Sequence, residues 1–246
     1  MKQLLAILCL AVSAYGQSDL GGTDAPDGAY PYQAALRRKS KFVCGASIIN
    51  EHWLLTAAHC VNMMKDPKEA TVLVGTNFVT GEGGHEYKVA YLIQHEDYDR
   101  DYIHVNDIAL IRLVENIKFT QKVQPVKLPK DESKSYEGAT AILAGWGSYG
   151  PNNYTPRKLQ HIRLQVISRN KCANEWKTSR NRTIIPAQLC TSSASDENMA
   201  THGDSGGPLV SDGVQIGVVS FAWEGLPDVY GRVSSYLSWM NRYINY

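Results

Sequence analysis

The chain has 246 residues and sets 25 Lys and Arg against 24 Asp and Glu, a formal charge of +1. A balance so near neutral excludes nucleic acid and anionic membrane as main partners, since both are held by a clear excess of basic charge. After the first 16 residues no apolar stretch is long enough to span a bilayer, so the remainder is expected to be soluble.

The opening MKQLLAILCLAVSAYG places one lysine before an apolar run from Leu4 to Val12 and ends in small residues. That order is the pattern of a secretory signal peptide over 1–16, with cleavage after Gly16 leaving a domain over 17–246 and an extracellular location. Cleavage removes Cys9. Cys44, Cys60, Cys172 and Cys190 then form an even set suited to an oxidising compartment, enough for two bridges. Asn153-Tyr-Thr155 and Asn181-Arg-Thr183 are N-glycosylation acceptor patterns, a weak further sign of secretion.

Strand-like segments dominate the rest of the chain: FVCGASII (42–49), WLLTAA (53–58), TVLVGT (71–76), YKVAYLI (87–93), DIALIRL (107–113) and ATAILAGWG (139–147). In HIRLQVI, Ile162, Leu164 and Val166 alternate with Arg163 and Gln165, the period of a half-buried strand. Asp212-Gly213 between two apolar runs predicts a hairpin. Only the C-terminus reads as firmly helical: Val233, Tyr236, Leu237, Met240 and Ile244 recur at helical spacing, with Ser234 or Ser235 as the cap. Many short strands in one unit of this size predict an all-β fold, a sandwich or a barrel.

Three stretches carry the chemistry: Leu55-Thr-Ala-Ala-His59-Cys60, Asn106-Asp107-Ile-Ala-Leu110 and Gly203-Asp204-Ser205-Gly-Gly-Pro208. A hydroxyl is a poor nucleophile until an imidazole takes its proton and a carboxylate orients that imidazole. Ser205, His59 and Asp107 supply these three types. The N–H groups of Gly203 and Ser205 can both face a substrate carbonyl and stabilise the oxyanion formed on attack.

With these flanking words in the order His, Asp, Ser, the chain resembles the chymotrypsin-like serine peptidases. The likeness runs from Gly21-Gly22 through Tyr30-Pro31-Tyr32, Gly145-Trp146-Gly147 and Pro227-Asp-Val-Tyr230 to the terminal helix. Val219-Ser220-Phe221 and PDVYGRVSSYLSW are nearest in flavour to arthropod chymotrypsins. The resemblance implies two six-stranded antiparallel β-barrels with the active site in the cleft between them, over about 30–125 and about 126–233, and a terminal helix over about 234–246. It also implies the pairs Cys44–Cys60 and Cys172–Cys190, and a Ser220 that hydrogen-bonds near the triad and lines the substrate channel with Phe221 and Ala222. The expected partners are protein or peptide substrates and protein inhibitors of proteases, bound by a monomer that needs no cofactor.

No metal is expected. His52, His85, His95, His104, His161 and His202 lack partners at metal-ligand spacing and read as surface histidines. In the loop from Gly75 to Tyr87, where relatives hold calcium, Thr76 replaces one carboxylate and leaves Glu86 without its counterpart. Arg37-Arg38-Lys39 and Lys41 read as a solvated loop.

Two departures from the family pattern matter. Relatives are cut after a basic residue, and the freed apolar amino terminus pairs with the aspartate before the catalytic serine, here Asp204. This chain has Gln17-Ser-Asp-Leu-Gly-Gly22 instead, with no Lys or Arg between Lys2 and Arg37. The expectation is a complete triad beside a poorly formed, zymogen-like oxyanion hole, and the alternative is a secreted non-catalytic protein that binds peptides in the same cleft. In the specificity pocket Met199 stands at the floor, Thr201 replaces a cysteine and Asp228 adds a carboxylate. Asp228 should be hydrated, protonated or paired with a basic substrate side chain, so cleavage is expected after apolar residues, with basic residues second.

Overall fold

A computed structural model describes residues 22–64, 66–99, 104–148, 155–192, 200 and 203–244. Residues 1–16, expected to be a signal peptide, and Asn153, Met199, Thr201 and His202 lie outside the described residues.

The first half contributes β1 (Thr23–Asp24), β2 (Gln33–Arg38), β3 (Lys41–Ile48), β4 (Trp53–Thr56), α1 (Ala58–Asn62), β5 (Ala70–Val74), β6 (His85–Gln94) and β7 (Ala109–Leu113). The second contributes β8 (Thr140–Gly145), β9 (Gln160–Ile167), α2 (Arg169–Arg180), β10 (Gln188–Ser192), β11 (Pro208–Ser211), β12 (Val214–Phe221), β13 (Asp228–Arg232) and α3 (Leu237–Ile244). Strands β2-β3-β4-β7-β6-β5 close one antiparallel barrel. Strands β8-β9-β10-β13-β12-β11 close a second, because β8 pairs with both β9 and β11, and β1 adds to the outside of β9. Closure leaves each barrel without a free strand edge, which answers the aggregation hazard of so many short strands.

Side-chain size decides how the barrels meet. In β2, Ala34, Ala35 and Leu36 are all fully buried, so this strand faces apolar surroundings on both sides. Ala34 and Leu36 join the core of the first barrel, while Ala35 and Leu73 pack with Ala144, Trp146 and Leu159 of the second. Trp146 is 1% exposed and its indole N–H donates to Asn77 O at 2.9 Å. Burying an aromatic of that size is worth on the order of 4 to 6 kcal/mol gross, so this one side chain is a principal tie between the halves. The C-terminal segment is another: Tyr236, Trp239 and Met240 return to pack on the first barrel's core.

Local structure departs from the sequence expectations in four places. The strand expected over 53–58 ends at Thr56, and Ala58 already belongs to α1. The strand expected from Asp107 begins only at Ala109, because Asn106 adopts a left-handed φ of 55° and turns the chain just before it. The start of the C-terminal helix is a tight 3-10 turn over Val233–Tyr236 with no side-chain cap, since Ser234 is buried and its hydroxyl accepts instead from Arg232 Nε at 3.0 Å. A third helix, α2, is not legible as one. It buries only Cys172 and Trp176, too few apolar residues to set a helical period, although its ends carry ordinary signals. Ser168 caps it by accepting from Lys171 N at 3.1 Å, and Asn181 ends it at φ 54°. At the predicted hairpin, Asp212 and Gly213 both have positive φ, 51° and 75°, as a two-residue turn matched to strand twist requires.

Candidate active site

The first barrel supplies an imidazole and the carboxylate that holds it. Thr56 ends β4 and the chain coils at once into α1, which places His59 on the rim of the barrel. Asp107, 2% exposed, grips that residue twice: Oδ1 accepts from the His59 backbone N–H at 2.9 Å, and Oδ2 lies 2.8 Å from His59 Nδ1. Ser220 Oγ donates to Oδ2 as well, at 2.6 Å. With three donors converging on it, the carboxylate fixes both the position and the tilt of the ring. The proton then belongs on Nδ1, leaving Nε2 as the basic nitrogen.

The second barrel supplies Ser205, and its loop is fastened to the first. Gly45 N–H donates to Ser205 O at 2.8 Å, Gly45 follows Cys44, and Cys44 is bridged to Cys60 beside His59. One hydrogen bond and one disulfide thus join the Ser205 loop to the His59 helix, and His59 Nε2 lies 3.6 Å from Cys60 Sγ. Glycine is compulsory in this loop. A Cβ on Gly206, whose φ is 76°, would fall 2.2 Å from Thr56 Oγ1 and 2.6 Å from Gly45 O. Among the described residues no hydrogen bond joins Ser205 Oγ to His59, and neither the Gly203 nor the Ser205 N–H donates to a partner. Catalytic contacts of this kind tighten when substrate binds.

Asp204 is turned inward, 8% exposed, with Oδ1 accepting from Gly147 N at 2.9 Å. Gly145 is glycine for the same reason, since a Cβ there would sit 2.0 Å from that oxygen. The Gly-Trp-Gly stretch therefore serves two purposes: Trp146 binds the barrels together while its neighbours make room for the Asp204 carboxylate.

Asp228 heads β13 and is 3% exposed. Its Oδ2 accepts from Ala200 N at 2.7 Å and from the Tyr230 hydroxyl at 3.4 Å, while Oδ1 has no partner among the described residues. Burial pushes its carboxyl up to about 7, with the Asp204 charge adding to the rise and the Ala200 N–H opposing it. Tyr230 is fully buried, and burial followed by the Asp228 charge raises its phenol well above the ordinary range. Phe221 ends β12 half-buried, with Ala222 beside it. Asn181 is exposed at the end of α2.

One neighbour of the His59 and Asp107 pair escapes the sequence reading. His104, expected at the surface, is only half-exposed, with Nδ1 3.9 Å from Asp107 Oδ2. Its ring stands edge-on to His59 at 5.8 Å and stacks with Phe221 at 5.7 Å. Its place three residues before Asp107 is the available signal. The basic run, in contrast, is largely neutralised: Arg38 and Lys39 pair with Glu69 at 2.9 and 3.0 Å, and Arg37 with Glu86 at 3.6 Å.

Two closed barrels with a histidine and aspartate on the rim of one, and a Gly-Asp-Ser-Gly-Gly loop of the other fastened beside them, define a trypsin-fold serine protease. The chain matches the Trypsin family over residues 19–240 and belongs to it. It is 40% identical to Chymotrypsin-2 of the hornet Vespa crabro over 91% of this chain and 98% of the relative. Mast cell protease 3 of Ovis aries is 34% identical over 97% of this chain and 94% of its own. Among solved structures, neuropsin, a serine protease expressed in the limbic system of mouse brain, superposes with a TM-score of 0.78 at 31% identity, covering 90% of this chain and 97% of that one. The arthropod flavour of the C-terminal stretch is thus matched by an arthropod relative, and the relatives carry the names of a chymotrypsin and of proteases. Among the described residues no helix is long and apolar enough to cross a membrane.

Proposed function

We propose that the chain is a secreted serine endopeptidase acting through Ser205, His59 and Asp107. The observation that carries this reading is the Asp107 carboxylate, which accepts from the His59 main chain, faces its ring at 2.8 Å and accepts from Ser220. Ser205 Oγ attacks the peptide carbonyl as His59 Nε2 takes its proton, and the Gly203 and Ser205 N–H groups receive the oxyanion. His59 returns the proton to the leaving amine, and water then releases the acyl group by the same steps. Both oxyanion donors are unengaged among the described residues, which favours a usable hole despite the unusual Gln17-Ser-Asp-Leu stretch. Hydrolysis of peptides with an apolar residue before the scissile bond, lost by at least three decades in Ser205→Ala, tests the reading.

Asp228 makes basic residues the second preference, because its carboxylate is charged only above about pH 7. Asn181 is an exposed acceptor for a glycan. A second reading, a secreted peptide-binding protein that does not cut, is favoured by the absence of Lys or Arg between Lys2 and Arg37. Ser205→Ala would spare the effect of such a protein.

A further inference from the structure

Beside the proposed cleft, the exposed end of α2 and the residues just after it bring two guanidinium groups close to aromatic rings. Arg180 Cζ stands 3.8 Å from the centre of the Trp223 ring, and Arg182 Cζ stands 5.8 Å from that of Phe221. The left-handed Asn181 between them ends the helix, and the rings that the two guanidinium groups approach belong to Trp223 and Phe221, two positions apart. Neither forms an ion pair among the described residues, with Glu175 or Glu224 or any other acid. Trp223 remains 50% exposed. A guanidinium stacked by its face keeps its in-plane N–H groups directed outward, a fork already oriented for a carboxylate.

This wall is continuous with the reacting centre. Phe221 stacks on His104, and the preceding Ser220 bonds to Asp107. Trp223 lies three positions beyond Ser220 and two beyond the end of β12, within roughly 10 Å of Ser220 at the most, the length of three steps at the rise of a strand. A helix C-terminus does favour a basic residue, and Lys177 and Arg180 satisfy that need within the last turn. Arg182 lies beyond the helix, where that explanation stops.

We propose that Arg180 and Arg182 bind an acidic side chain of the peptide in the cleft, about three residues from the scissile bond. The site thereby selects peptides with Asp or Glu at that distance. This rests on the cleft being a peptide-binding site. The test is chosen so that the two ideas can fail separately: fluorescence anisotropy of the full chain carrying Ser205→Ala, titrated with paired peptides that hold Glu or Gln two to four residues to either side of the apolar anchor. At low salt the Glu peptide should bind about two- to fivefold more tightly at one of these positions, the size expected of an exposed charge pair. The preference should shrink in high salt. Arg180→Gln/Arg182→Gln should make the pair equal, and Arg180→Glu/Arg182→Glu should favour a Lys peptide, an inversion that a merely structural role would not give. Equal affinities at every position, or no binding of either peptide, overturn the proposal. Acid-selective binding by a wild-type protein that hydrolyses neither peptide would support it and overturn the endopeptidase reading. Equal hydrolysis of both, with equal binding, would do the reverse.

Discussion

Asp107 and Asp228 are both buried aspartates, 2% and 3% exposed, yet their surroundings differ in kind. Asp107 receives the His59 main-chain N–H and the Ser220 hydroxyl and lies against the His59 ring, so each oxygen is engaged. Asp228 has one short donor on Oδ2 and, among the described residues, none on Oδ1, and burial pushes it up to about 7. A carboxylate surrounded by donors is a fixed acceptor that orients its neighbour. One left half-satisfied becomes a group that changes charge near neutral pH.

Exchanging each for its amide should break the comparison most sharply. Asp107→Asn offers an NH2 where His59 Nδ1 needs an acceptor and favours the wrong tautomer, so kcat should fall by about four decades with the fold intact. Steady-state kinetics alongside thermal melts read both quantities. Asp228→Asn should instead leave hydrolysis after apolar residues within a few-fold.

Its effect should appear in stability. Between about pH 4 and 7 the folded Asp228 keeps a proton that the unfolded chain has released, so stability falls as pH rises through that window and levels off above it. The total is on the order of 4 kcal/mol at 1.36 kcal/mol per unit. Asp228→Asn should remove this slope and be the more stable protein at pH 8, as denaturant titrations at a series of pH values would reveal. In wild type the ratio of basic to apolar cleavage should rise through about pH 7, and in the variant it should stay flat. A ratio independent of pH in both would sever Asp228 from specificity.

Smaller effects sharpen the contrast. Opening the Cys172–Cys190 bridge, which closes a span of 18 residues, should cost about 3 kcal/mol while leaving the Asp107 cluster undisturbed. Ser220→Ala removes one of the donors to Asp107 Oδ2 and should lower kcat/KM about tenfold, equivalent to roughly 1.4 kcal/mol for one charge-assisted hydrogen bond. An unchanged value would mean that the remaining contacts suffice to hold the ring.

The all-β character is legible because strand-forming runs and turn residues repeat along the chain, and the Asp212-Gly213 turn falls where its chemistry demands; the division into two barrels comes only with the family resemblance. The proposed reacting residues are legible because each sits in a local word, TAAHC, NDIAL or GDSGGP. What stays hidden depends on distant contacts. Trp176 makes α2 a helix worth forming only through its place beneath Phe221, at 5.1 Å, and its bond to Pro227 O, 51 residues away. His104 gains meaning only from the ring of His59, and the bare oxygen of Asp228 only from the walls that enclose it. The arrangement of Arg180 over Trp223 joins residues 43 positions apart, beyond the reach of any local pattern.

The central claim is that Ser205 is an activated nucleophile, and fluorophosphonate labelling of the secreted protein, with the modified residue mapped by mass spectrometry and the amino terminus sequenced, tests it most directly. The account predicts rapid modification confined to Ser205 and abolished by His59→Ala. Folded protein that resists the reagent at Ser205 would contradict it and give the lead to the peptide-binding reading.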